Sequence, residues 1–67
     1  MENGTDKALA GLSVLVVDDE ALLRRRLAAH LEALGADVTA TENLAGARRL
    51  LSDLEFDFVL LDVHLPD

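Results

Sequence analysis

Two short apolar runs that each end abruptly in aspartate constrain this chain more than any other feature of its sequence. The first run, LSVLVV at residues 12–17, leads into Asp18 and Asp19. The second run, FVLL at Phe58–Leu61, leads into Asp62. Both runs are nearly continuous rather than alternating, which is typical of strands covered on both faces, as in parallel sheets. We therefore expect them to be the two best-covered strands.

The first segment between these runs has the pattern of an amphipathic helix over residues 21–34. Four leucines at spacings of 4, 4 and 3 share one stripe of this helix: Leu23, Leu27, Leu31 and Leu34. Gly35 follows, where a helix end favours a residue at positive φ. Asp19 or Glu20 can cap the start of the helix. Arg24, Arg25 and Arg26 are expected to form a solvated basic face, and His30 to be partly buried.

The next segment predicts a short strand and a second helix. Residues 36–41 alternate weakly, which indicates an exposed strand at a sheet edge. Asn43 has the character of an N-cap for a helix over Leu44–Asp53, although Gly46 inside that helix costs about 1 kcal/mol relative to alanine. The order is therefore β-α-β-α-β, which favours parallel strands joined by crossover helices.

A doubly wound α/β sheet with strand order 2-1-3 satisfies this pattern best. In this order the second strand lies on one side of the first strand and the third strand lies on the other. Because both crossovers have the same handedness, the two helices are placed on opposite faces of the sheet. The first strand is then the switch point at which open α/β sheets bind ligands, beyond the carboxyl ends of the strands.

Composition narrows the classes of function. The 67 residues include no cysteine, two aromatic residues and 51% hydrophobic residues, with a formal net charge of −7. Such a chain repels nucleic-acid phosphates and anionic membranes, and no apolar run approaches the roughly 20 residues that span a bilayer. Residues 1–11 are polar and turn-rich, so we expect a flexible leader without a buried face or signal peptide. A cytoplasmic location is the default expectation.

The aspartates that follow the apolar runs form a candidate metal site. Neighbouring parallel strands lie about 4.8 Å apart, so Asp18, Asp19 and Asp62 should converge on one edge of the sheet. Carboxylates this close repel, so that either one takes up a proton or a cation enters. Oxygen ligands favour Mg²⁺, beside which an aspartate can act as a nucleophile on phosphorus. The competing interpretation is that acids at strand ends are merely solvated or cap helices.

With these residues assembled, the sequence resembles a known family. The stretches VLVVDDEALLRRRLAAHLEALG and DFVLLDVHLPD look like the first half of a receiver domain from a bacterial two-component response regulator. The resemblance implies a flavodoxin-like fold and a signalling domain rather than an enzyme. It implies that Asp62 accepts a phosphoryl group from a sensor histidine kinase or phosphotransfer protein. It further implies that Asp18, Asp19 and the backbone carbonyl of His64 help to bind Mg²⁺.

The resemblance covers residues 12–67 and therefore only the N-terminal half of such a domain. The family's Ser/Thr after the fourth strand and Lys after the fifth have no counterpart here. A second hypothesis is accordingly a phosphorylation-incompetent fragment that self-associates through the exposed edge of its third strand. A nucleotide-binding fold is disfavoured, because DDEALL lacks the glycines with which phosphate-binding loops cradle their ligand.

Overall fold

The computed structural model describes residues 7–62, which contain five elements in β-α-β-α-β order. The elements are β1 (Ser13–Val17), α1 (Ala21–Ala33), β2 (Asp37–Thr41), α2 (Leu44–Asp53) and β3 (Phe58–Leu61). The predicted elements are confirmed. The start of β1, the end of α1 and the start of β2 each differ from the prediction by a single residue.

The three strands form one parallel sheet in the order β2-β1-β3, as predicted. This is the arrangement that a flavodoxin-like fold has over these elements. Val17, the last residue of β1, is paired with Thr41 of β2 and with Leu61 of β3. All three strands therefore end at the same level, and the residues that follow them are brought to one edge.

β1 is the central strand and supplies most of the core. Leu15 is 0% exposed, and Val16 and Val17 are each 1% exposed. Successive side chains of a strand point to opposite faces, so β1 contributes to two separate clusters. Val14 and Val16 belong to one cluster, and Leu15 and Val17 belong to the other.

The two helices cover opposite faces of the sheet, as predicted. Leu27 and Leu31 of α1 pack against the cluster of Val14 and Val16. Ala47 of α2 is buried in the cluster of Leu15 and Val17, where Leu44, Leu50 and Phe56 also pack. Burial of α1 is incomplete: none of its residues is fully buried, and Leu23 on the predicted leucine stripe is 42% exposed.

The prediction that β3 is among the best-covered strands is wrong. All four of its residues are exposed, from Leu60 at 42% to Phe58 at 55%. Within residues 7–62, β3 pairs with β1 along one edge only, and neither helix packs against it. An apolar run indicates that a strand needs cover, but it does not say which element supplies that cover.

The helix ends follow local chemistry. Gly35 has a φ of 101°, as predicted, and a Cβ there would lie 2.9 Å from the Cβ of Lys7. The side chain of Asn43 accepts a 2.8 Å hydrogen bond from the backbone N–H of Gly46, which confirms the N-cap. A Cβ at Gly46 would collide with the Thr41 side chain. The close approach of α2 to β2 therefore requires a glycine at this helical position.

Residues ahead of β1 contribute to the fold. The backbone N–H of Leu9 donates a 2.9 Å hydrogen bond to the carbonyl of Leu34 at the end of α1. The Leu9 side chain packs against Val14, Val16 and Ala36. The expectation that residues 1–11 have no packing face is thus wrong at Leu9, while residues 1–6 lie outside the described part of the chain.

Candidate functional site

Three carboxylates meet at the edge of the sheet where the strands end. Asp18 and Asp19 follow β1, and Asp62 follows β3. One potential ligand oxygen from each residue lies within 4.8 Å of those from the other two. The predicted convergence of these side chains is therefore present, and it brings together two segments that are more than 40 residues apart in the sequence.

Backbone hydrogen bonds hold the two strand ends in register. The N–H of Asp18 donates to the carbonyl of Thr41 at 3.1 Å, and the N–H of Asp62 donates to the carbonyl of Val17 at 3.0 Å. These bonds extend the sheet pairing by one step beyond β1 and β3. The pairing of buried strands thus determines where the first and last carboxylates of the site lie.

Asp18 is the most buried member of the cluster, at 4% exposure. Its Oδ1 accepts a 2.9 Å hydrogen bond from the backbone N–H of Glu20, the residue at the N-cap position of α1. The prediction that Asp19 or Glu20 caps this helix with its side chain is wrong, because the N-cap makes no side-chain bond. Asp18 instead stabilises the turn that precedes α1, through its hydrogen bond from the N–H of Glu20.

Exposure increases across the cluster, since Asp62 is half-buried and Asp19 is exposed. Three negative charges at this separation repel each other, and partial burial strengthens the repulsion. A cation relieves it. An all-oxygen donor set that is open on one side suits Mg²⁺, which takes one or two carboxylates and keeps several water ligands. His64, the remaining predicted ligand, lies outside the described residues.

A cleft of about 450 Å³ adjoins the carboxylates on the α1 side of the sheet. Asp18 and Asp62 line one part of it, and the apolar side chains of Leu23, Leu27 and Leu60 line another. Asp18 and Asp62 therefore border an open cleft on the α1 side of the sheet, whereas Asp19 does not line it.

Arg24 lies at this site and was missed by sequence reasoning. Its Nη1 donates a 2.8 Å hydrogen bond to the backbone carbonyl of Asp18, in a partly buried position. The prediction of a solvated face holds for Arg25 and Arg26, which are exposed, but it is wrong for Arg24. His30 is exposed rather than partly buried.

The fold and the site together define a class of protein: a parallel α/β domain with a carboxylate cluster suited to Mg²⁺ at its switch point. The family model for the response regulator receiver domain matches residues 14–67. The chain belongs to this family of signalling domains, which act in two-component systems. No helix within residues 7–62 is both long and apolar enough to cross a membrane.

Curated bacterial relatives agree with this assignment. Protein PetR of Rhodobacter capsulatus is 47% identical over 53 residues, which are 79% of this chain and 22% of that protein. The phosphate regulon transcriptional regulatory protein PhoB of Pseudomonas aeruginosa is 38% identical over 58 residues, 87% of this chain and 25% of PhoB. The sensor histidine kinase RcsC of Escherichia coli is 38% identical over 66 residues, 94% of this chain and 7% of RcsC. No solved structure matches the chain.

Proposed function

We propose that this chain accepts a phosphoryl group on Asp62 in a phosphorelay. The supporting observation is the cluster of Asp18, Asp19 and Asp62 at adjoining strand ends of a receiver domain. Asp62 is the proposed acceptor because it alone follows β3, facing the pair that follows β1. Its backbone is held by the Val17 carbonyl, so the carboxylate stays close to that pair.

Asp18 and Asp19 are the proposed Mg²⁺ ligands, together with Asp62 and the backbone carbonyl of His64. Asp19 is the better direct ligand, since it is exposed, whereas one oxygen of Asp18 is engaged by the N–H of Glu20. When bound, Mg²⁺ would neutralise negative charge on the phosphoryl oxygens. The role of the acidic pair is therefore to place positive charge where a phosphoryl group meets Asp62.

The transfer step is a displacement at phosphorus. A carboxylate oxygen of Asp62 forms a bond to the phosphorus of a phosphohistidine, and the phosphorus–nitrogen bond breaks. The imidazole leaves with the bonding electron pair and takes up a proton. The phosphodonor is accordingly a sensor histidine kinase or a phosphotransfer protein, and a cytoplasmic location fits such an exchange. Nucleic acid and membrane are not proposed partners of this acidic segment.

The chain spans 22% of the length of PetR, 25% of PhoB and 7% of RcsC. Activities of a longer protein, such as regulation of transcription, are therefore outside the function proposed for these residues. The proposed receiver segment comprises residues 12–67, and Leu9 of the preceding residues packs on its core.

The test uses the natural-length protein that carries this segment, incubated with Mg²⁺ and acetyl phosphate. We expect intact-mass measurement to show the addition of one phosphoryl group. Alkali should remove it, because the adduct is an acyl phosphate, and chelation of Mg²⁺ should prevent its formation. A protein that gains no phosphoryl group from acetyl phosphate under these conditions would contradict the proposal.

Self-association through β3 is a second candidate function, and the exposure of this strand is the observation that favours it. All four β3 residues are exposed and apolar, and the outer edge of β3 pairs with no strand within residues 7–62. Unpaired apolar edges favour pairing with another copy.

We expect light scattering to show oligomers of the 67-residue chain, and Val59→Lys to reduce them to monomers.

Leu51→Lys is the matched control for the oligomer test. Leu51 is 47% exposed on α2, against 44% for Val59 on β3, so both changes put a charge on a similarly exposed apolar position. The control should leave the oligomers intact. A compact monomer of the unmodified chain, or equal effects of the two substitutions, would rule out pairing through β3.

A further inference from the structure

We propose that Arg24 is a positioning residue for the metal site, which it serves by fixing the backbone of Asp18. This inference rests on the function proposed above, because the carboxylates it positions are the proposed Mg²⁺ ligands. Arg24 does not act as a ligand itself, since a guanidinium only donates hydrogen bonds; its side chain donates to the main-chain carbonyl of Asp18 at 2.8 Å.

Asp18 is held from three directions. Its N–H donates to the Thr41 carbonyl of β2 at 3.1 Å. Its Oδ1 accepts from the Glu20 N–H at 2.9 Å, and its carbonyl accepts from Arg24 at 2.8 Å. The peptide unit that joins Asp18 to Asp19 is therefore fixed at its carbonyl by the guanidinium. That peptide determines the direction in which the Asp19 side chain leaves the backbone.

Arg24 is itself anchored in the first turn of α1. Its backbone N–H donates to the Glu20 carbonyl at 2.9 Å, and its side chain lines a small cavity with Thr41 and Glu42 at the end of β2. The side chain thus links the start of α1 to the residue that follows β1, beside the end of β2. These are the backbone segments that surround the acidic pair.

The position of Arg24 runs against the local preference of a helix. The helix dipole disfavours a positive side chain in the first turn of a helix and favours a negative one. The first turn of α1 nevertheless contains no acidic residue, and Arg24 directly follows its first three residues. A residue that breaks a local rule often has a functional reason for its position. Here the guanidinium makes a charge-assisted hydrogen bond to the Asp18 carbonyl, in the segment that carries the acidic pair.

The experiment compares Arg24→Gln, Arg24→Lys and the control Arg25→Gln in the natural-length protein. Arg25 is the adjacent, exposed arginine of α1, so its replacement removes the same charge without touching the Asp18 carbonyl. Mg²⁺ binding is measured directly by titration calorimetry. Outer-sphere partners of metal ligands typically contribute 10–100-fold to affinity, and we expect about a tenfold loss for Arg24→Gln.

Arg24→Lys should recover part of this loss, since lysine keeps a charged donor but lacks the planar fork of arginine. Arg25→Gln should leave the affinity within about twofold of the unmodified protein, because Arg25 is exposed and its charge acts through solvent and salt. Thermal unfolding without Mg²⁺ is measured in parallel. A general structural role would lower the unfolding temperature of Arg24→Lys as much as that of Arg24→Gln and would not change Mg²⁺ affinity in the folded protein.

Two results would overturn the inference: equal Mg²⁺ affinities for Arg24→Gln and Arg25→Gln, or loss of stability without loss of affinity. Failure of the proposed function is distinguishable from both. If the unmodified protein binds Mg²⁺ but acquires no phosphoryl group, the proposed transfer to Asp62 fails, while the calorimetric comparison still decides the role of Arg24. If the unmodified protein binds no Mg²⁺, both proposals are wrong.

Discussion

Replacement of Asp62 by asparagine is expected to abolish the phosphoryl adduct formed with acetyl phosphate and Mg²⁺. The asparagine amide has nearly the same size and shape as the aspartate carboxylate. It is a far weaker nucleophile towards phosphorus, so the variant lacks the oxygen that would accept the phosphoryl group. The Asp62 N–H bond to the Val17 carbonyl is a main-chain bond and should persist in the variant. Intact-mass measurement before and after alkali treatment detects the loss.

Asp53→Asn is the control for this substitution. Asp53 is the last residue of α2, is exposed, and lies outside the carboxylate cluster, so its replacement makes the same change in charge and chemistry. The control variant should be phosphorylated at the unmodified rate. An adduct of unchanged yield on Asp62→Asn would show that the acceptor is another residue and would reject the role proposed for Asp62.

Replacement of Asp19 by asparagine is expected to weaken Mg²⁺ binding by roughly 30-fold. Two unit charges 4 Å apart attract by about 1 kcal/mol in water, and a unit charge attracts a dication by about twice that, which is a lower estimate for a direct ligand at about 2 Å. Because Asp19 is exposed, this water-like value is the appropriate one, and about 2 kcal/mol corresponds to roughly 30-fold in affinity. Titration calorimetry with Mg²⁺ measures the change directly.

Glu42→Gln provides the comparison for Asp19→Asn. Glu42 follows β2 at the same edge of the sheet and is exposed, but it is not part of the carboxylate cluster. It should therefore contribute only a long-range, salt-screened attraction, and its replacement should change affinity by about twofold or less. Equal losses for the two variants would mean that the metal site is misplaced.

The acidic site could be derived from sequence because it depends on two simple rules, the burial of apolar strands and their parallel pairing. A buried strand of known direction places the residue after it, and parallel pairing places two such residues together. Asp18 and Asp62 follow from that argument, and the pairing of Val17 with Leu61 bears it out. The bonds that the Asp18 carboxylate and carbonyl make with Glu20 and Arg24 could not be derived, since they depend on how α1 starts relative to the sheet.

The sequence pattern predicted burial wrongly at two places: β3 is exposed, and Leu9 packs on the core. Apolarity alone ranked β3 with β1, yet Leu15 of β1 is 0% exposed and Leu61 of β3 is 52% exposed. Leu9 stands in a polar, turn-rich segment and still packs on the core. Burial depends on which neighbours reach a residue, and those neighbours are not adjacent in the sequence.

By itself, the sequence determined the element order, the central position of β1, and the edge at which Asp18, Asp19 and Asp62 meet. Hydrophobic periodicity and parallel pairing are local or pairwise rules, so a linear pattern is enough to apply them. Only the tertiary structure decided how the acidic pair is held. The contact between the Arg24 guanidinium and the Asp18 carbonyl requires a helix, a strand end and their relative orientation at once.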